Sequence, residues 1–208
     1  MRTKLFTAAI LLTQLAIPAF SADQWEIDPR HSQANFSIRH MMVSNVRGTI
    51  AGIKGTANYD GKNVKDLAVN AEMDVNSINT ADADRDKHLK GADFFDVAKY
   101  PTITFKSEKV VQDSNGKFKL LGNLTMHGVT KPVELVVEGP TQIVKDPHGK
   151  ERVGASASTR VNRQDYGIKY NSALDGGGLA VGNDVDITLD IEMTKQKAAS
   201  EPSTKKAG

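Results

Sequence analysis

Residues 80–95 read TADADRDKHLKGADFF, a stretch crowded with titratable side chains. Asp82, Asp84 and Asp86 alternate as the first ligands of a calcium loop do. The sixth position of such a loop needs glycine for its turn and is Lys87 here, and the twelfth needs a bidentate glutamate and is Asp93. Asp84 and His88 stand four apart, on one helical face, as two zinc ligands would, but the local sequence supplies no third. A short helix over about 81–90 explains more of these residues. Thr80 is placed to cap it, Asp82 and Asp84 fall in its first turn, and Lys87, His88 and Lys90 fall in its last. Gly91 supplies a left-handed stop, and Asp84–His88 and Asp86–Lys90 are favourable pairs. Leu89, Phe94, Phe95 and Val97 give the helix an apolar underside, suited to lie across an opening or edge of a larger structure. No metal is expected.

Other reactive patterns fail on spacing. The chain has no cysteine, so thiol nucleophiles, thiolate metal sites and disulfides are excluded. GASAS at 154–158 lacks the second glycine of a nucleophile elbow, and the glycines at 176–178 do not join a strand to a helix. The histidines at 31, 40, 88, 127 and 148 form no HExxH. His40 stands out, because strand parity sets it on an apolar face, where a histidine is usually a satisfied core residue.

The elements that must position these residues are strands. Ala34, Phe36, Ile38, His40 and Met42 alternate with Asn35, Ser37 and Arg39. Leu67, Val69, Ala71, Met73 and Val75 share a face, as do Phe118, Leu120, Leu124 and Met126. Ile103 and Phe105, Val133 to Val137, Val153 to Val161, and Val185 to Met193 repeat the period of two. With TIAGIKGTANY at 49–59 these make about eight strands, the number that closes an antiparallel barrel. Asp60-Gly61, Asn115-Gly116 and His148-Gly149 are turn signals between them. Ala34, Ala57, Ala71, Ala155, Ala157 and Thr159 are small for inward positions. Small inward residues fit either a ligand cavity or a taper of alternating small and large side chains.

The termini set the compartment. Residues 1–22 carry Arg2 and Lys4, an apolar run, Pro18 and small residues, the pattern of a secretory signal. The 27 basic residues less Arg2 and Lys4 balance the 25 acidic ones, so no field gathers nucleic acid. Residues 23–194 form one domain, and Lys195 to Gly208, rich in lysine, alanine and serine, reads as a disordered tail. The expected location is the periplasm.

Three segments resemble the YceI-like family of exported lipid-binding barrels. They are WEIDPRHSQANFSIRHMM, SINTADADRDKHLKGADFFDVAKYPTITFKSEKV and GNLTMHGVTKPVEL, and the likeness runs from about Trp25 to Met193. The resemblance implies a lipocalin-like antiparallel barrel with an elongated apolar cavity, a long-chain lipid ligand of the polyprenyl type, and no cofactor or enzymatic reaction. The lysine-rich tail and the run YNSALDGGGLAVGND depart from the family pattern, and the run is expected to form a flexible loop.

Strand parity then nominates the ligand-binding residues: Phe36, Ile38 and His40; Val69, Ala71 and Met73; Phe105; Leu120 and Leu124; Ala155 and Ala157. The expected function is a periplasmic carrier of a long-chain amphiphile. One alternative is an enzyme acting on such a lipid, with His31, Arg39, Arg163 and Asp165 converging at the barrel mouth. The same four fit outward strand positions and a loop salt bridge, which is preferred. Another alternative is an interaction module for a membrane redox or envelope-stress system. Transient contact with a membrane or membrane protein, and a monomer or a homodimer, are both compatible with the chain.

Overall fold

The computed structural model describes residues 23–112 and 118–196. The expected secretory signal over residues 1–22, the expected turn at Asn115-Gly116 and the part of the expected tail beyond Gln196 lie outside the described residues. The strands are β1 (Gln24–Ile27), β2 (Gln33–His40), β3 (Ser44–Ala51), β4 (Lys54–Asn58), β5 (Ala68–Asp74), β6 (Thr102–Gln112), β7 (Phe118–Met126), β8 (Val129–Glu138), β9 (Val144–Lys145), β10 (Glu151–Asn162) and β11 (Val181–Lys195). Helix α1 spans Ala83–Lys90.

Every pairing is antiparallel, and the sheet closes on itself. Strand β11 pairs with β10 from Thr194↔Arg152 to Asp184↔Asn162. Its other edge is shared, with β1 from Lys195 to Met193 and β2 from Asp190 to Val181. Strands β1 and β2 thus occupy one position of the barrel, and their partners β4 and β3 occupy the next. Strands β5, β6, β7 and β8 complete the circuit back to β10. The result is an eight-position closed barrel, as the alternation predicts.

Two strand boundaries differ from the periodic reading. TIAGIKGTANY is two strands, because Gly52 turns left-handed (φ 74°) between Ala51 and Lys54. Met42 leaves the apolar face altogether. Strand β2 ends at His40, and Met41 and Met42 form an exposed hairpin turn with φ of 48° and 61°. The glycine run is likewise only partly loop. Ala173 and Leu179 form a bridge, the Leu174 amide donates to the Gly178 carbonyl at 3.2 Å, and Val181 to Asp184 belong to β11. Lys195 is the last residue of β11 and ion-pairs with Asp23 and Glu151, so it belongs to the barrel and not to the tail.

The helix forms where expected but is capped differently. Asp82, not Thr80, is the N-cap and accepts from the Arg85 amide. Thr80 instead donates its amide and hydroxyl to the Asp86 carboxylate, at 2.8 and 2.6 Å. Gly91 ends the helix in an extended conformation (φ −74°, ψ 174°), not a left-handed one. The i, i+4 pairs do not form: Asp86 is taken by Thr80, and His88 turns to Asp93. Phe94 is buried beneath the helix, with Leu89, Phe95 and Val97 packed around it.

Strand register separates the two ends of the barrel. Trp25, Tyr59, Phe118, Val137, Val153 and Met193 gather at one end and are buried. The Trp25 indole donates to the Tyr59 carbonyl at 3.0 Å, so the ring is buried without leaving its N–H unpaired. The other end holds α1, His40, Asn162 and Val181.

Candidate functional site

A cavity of about 450 Å³ runs along the inside of the barrel. All eleven parity-derived residues line it: Phe36, Ile38 and His40 from β2, Val69, Ala71 and Met73 from β5, Phe105 from β6, Leu120 and Leu124 from β7, and Ala155 and Ala157 from β10. The wall is otherwise apolar over most of its length, with Val185, Ile187, Leu189 and Ile191 contributed by β11. Phe36, Ile38, Val69 and Ala157 are only half-buried although they point inward, as expected of groups facing open space.

The small inward residues have two roles, not one. Ala57 is 1 % exposed and pairs across β1 with Trp25, so there a small residue makes room for a large one. Ala71, Ala155, Ala157 and Thr159 instead border the cavity. Glycine also keeps the lumen clear, which parity cannot reveal. A Cβ on Gly48 would stand 2.5 Å from Phe36 Cζ, and one on Gly122 would stand 2.6 Å from Phe105 Cζ. Each ring occupies the space that a side chain at the facing glycine would need.

The mouth is marked by the exposed members of the wall, Arg39, His88, Tyr170 and Ser172. Arg39, His40, Arg85, His88 and Arg163 all border the cavity, and among the described residues its wall holds no carboxylate. Arg163 corrects the outward reading. Asn162 caps a 3₁₀ turn over Arg163–Tyr166, and Gly167 closes it left-handed (φ 79°). The turn tucks Arg163 inside, 4 % exposed. Its guanidinium donates to the carbonyls of Ile168 (2.7 Å), Gly182 (2.8 Å) and Val181 (3.4 Å). No carboxylate among the described residues pairs with it, and Asp165 stays exposed on the turn. Burial holds the Arg163 pKa below its ordinary value, and pushes the Tyr166 hydroxyl up to about 12.

Across the mouth, the His88 Nε2 lies 2.9 Å from Asp93. The His88 ring meets Phe94 and Tyr170 edge-on, each at 5.0 Å, tying the helix to the segment before β11. Arg85 donates to the Thr80 hydroxyl and carbonyl at 2.8 and 2.9 Å. These contacts hold basic groups in place without neutralising Arg163.

His31 does not join this group. It lies at the break between β1 and β2, with Nδ1 3.0 Å from Asp28. Arg152 bonds Asp28 at 3.1 Å, Asp146 at 2.9 Å, and also Glu192. Asp28, His31 and Glu192 are close enough together to hold a cation, but the Arg152 guanidinium already supplies that positive charge. The His31 hydrogen bond, the first of several, holds the Asp28 carboxyl well below the usual carboxylate range against the opposing effect of burial. Ten residues of β11 separate Glu192 from Gly182, about 30 Å at the rise of an extended strand. His31 and Arg163 therefore cannot act on one reacting group.

Comparison with known proteins agrees with the barrel. The model of the YceI-like domain matches residues 25–193. The chain belongs to the YceI-like family. A UPF0312 protein of Vibrio parahaemolyticus is 34 % identical over 198 residues, covering 94 % of this chain and all of that protein. The crystal structure of a Campylobacter jejuni YceI protein superposes with a TM-score of 0.62 at 27 % identity, covering 77 % of this chain and 91 % of that one. A domain from Saccharophagus degradans, described as polyisoprenoid binding and implicated in plant cell wall breakdown, shares the fold. Its TM-score is 0.58 at 14 % identity, over 85 % of this chain and 99 % of the domain. In this member of the YceI-like family, strand parity does not reach His88 and Tyr170 as wall residues, and Arg163, offered at the mouth only by the enzyme reading, is a wall residue. The signal for Arg163 was the NRQDYG turn itself, an Asn cap and a closing glycine that fold the segment inward.

Proposed function

We propose that the protein is a periplasmic carrier of a long-chain amphiphile of the polyprenyl class, binding its ligand without turning it over. One observation carries the reading: an apolar channel is plugged at the Trp25 end and opens, at the other, past basic side chains, with no carboxylate lining its wall among the described residues. The chain of the ligand lies along the eleven inward residues of β2, β5, β6, β7 and β10, with its head toward Arg163. A buried cation lacking a counter-ion favours a head that is anionic or rich in acceptors.

Magnitudes favour a long chain. Burial is worth about 0.8 kcal/mol per CH₂-sized group, so an isoprene unit contributes roughly 4 kcal/mol gross. Association opposes this with about 4–15 kcal/mol. One or two units bind poorly and several bind well. The fold shared with a polyisoprenoid-binding domain supports the ligand class, and the signal-like N-terminus supports the compartment.

Mass spectrometry of lipid extracted from purified protein is the test. Recovery of a polyprenyl compound in repeated preparations is the expected result. Empty protein that also ignores added polyprenyl probes overturns the reading.

A further inference from the structure

Nine large apolar side chains are exposed among the described residues, and five of them gather at one place: Met41, Met42, Val43, Tyr170 and Leu179. Their exposures at the hairpin rise along the turn, 45 % at Met41, 57 % at Met42 and 77 % at Val43. The two segments that carry them touch. The Met41 amide donates to the Ala180 carbonyl at 2.7 Å, and Met42 packs over Gly178, where an added Cβ would meet its Cγ at 3.3 Å.

The hairpin turn is built against backbone preference. Val43 donates to the His40 carbonyl at 3.1 Å, and both residues between them are left-handed. Asparagine and glycine occupy such a pair easily, whereas a methionine side chain there crowds its own backbone. A turn whose only task was to join β2 to β3 would not hold two strained, water-facing methionines.

This tip stands on the lip of the cavity. His40, Ala180 and Val181, the immediate neighbours of the exposed residues, line the wall. Arg39, also on the wall and exposed, donates to the Met42 carbonyl at 2.8 Å and sets a cation beneath the apolar tip. Lys169 adjoins Tyr170 and is exposed, and Asp175 is the acid of the glycine loop. Apolar side chains with cations behind them match the layering of a bilayer surface, acyl chains below and phosphates above.

We infer that the Met41–Val43 turn, with Leu179, inserts into the surface of a phospholipid bilayer. Insertion brings the cavity mouth to the membrane, so a lipid chain passes between bilayer and barrel without crossing water. The inference rests on the carrier reading. Unbranched, flexible methionines suit a surface with no fixed shape, and so small a tip gives reversible attachment, as loading and release require.

The test is co-sedimentation of the chain from Asp23 onward with vesicles of phosphatidylethanolamine and phosphatidylglycerol. It compares the native protein with the double variant Met41→Asn, Met42→Gly. The variant relieves the turn, so its thermal midpoint should hold or rise, while its vesicle partition falls at least about tenfold. Loading of a fluorescent long-chain lipid from vesicle-free solution should be equal in both proteins. Equal partition of the two, no partition of the native protein, or a native dimer that the variant converts to monomer each overturns the membrane assignment. Failure of both proteins to load lipid from solution counts against the carrier reading, while vesicle partition still decides the tip.

Discussion

At the Trp25 end, Trp25 and Val153 are packed out by their neighbours; farther along the barrel, inward side chains of the same strands border the cavity that leads to Arg163. Strand β10 shows both conditions within its own length, from Val153, 2 % exposed beside Met193, to half-buried Ala157 on the cavity wall. Charge is arranged with the same asymmetry. Arg152, on the outer wall, is surrounded by Asp28, Asp146 and Glu192, while Arg163, inside the mouth, has only backbone carbonyls. One end conserves the fold by satisfying every large group. The other holds a cation and a hollow in reserve, which is how a barrel is prepared for a ligand.

Removing the plug should break that contrast most severely. Trp25→Ala should lower unfolding free energy by about 3–5 kcal/mol, since the ring is wholly buried and its hydrogen bond to Tyr59 is lost with it. Denaturant titration measures the effect. Arg163→Met should cost about 1–3 kcal/mol, because it leaves the Gly182 and Ile168 carbonyls buried without donors. The same variant should weaken binding of a polyprenyl phosphate more than of the matching alcohol, and titration with both lipids separates a head-binding role from a structural one.

Ala157→Trp and Ala71→Trp sharpen the contrast in the opposite direction. Each adds a ring where the barrel is hollow, so the unfolding free energy should change by less than about 1 kcal/mol while lipid affinity collapses. A loss of about 1–3 kcal/mol at both positions, with affinity kept, would mean that the hollow is packed in solution.

The smallest expected effect is on acid stability. The folded-state pKa of Asp28 is depressed, so its contribution is present above the unfolded carboxylate value of about 3.9 and is lost as pH falls below it toward the folded value. His31→Ala should flatten that acid limb in a pH series of thermal melts by lowering the midpoint slightly at neutral pH, with the difference from the native protein vanishing as pH falls below the carboxylate range. The exposure of His31 and the partial exposure of Arg152 and Glu192 keep the effect small.

Most of the cavity wall was legible as alternation. Period-two patterning is a local property, and once Phe36 faces inward Ile38 and His40 must follow. The helix was legible too, since its charges and terminal glycine lie within one segment, although its cap moved from Thr80 to Asp82 when Asp86 captured Thr80. Met42 was misplaced because a strand pattern does not announce its last residue; the pairing of β2 with β3 decides where the turn falls.

The chain alone therefore determined which side of each strand faces inward, because parity needs no knowledge of neighbours. It could not determine which residues share an end, since that depends on the stagger between strands that closure imposes. Only closure sets His31 about 30 Å from Arg163 and brings Met42 against Gly178. Nor could composition choose between a taper and a channel for the small residues. The answer is set by what stands across the lumen: Trp25 beside Ala57, and open space before Ala157.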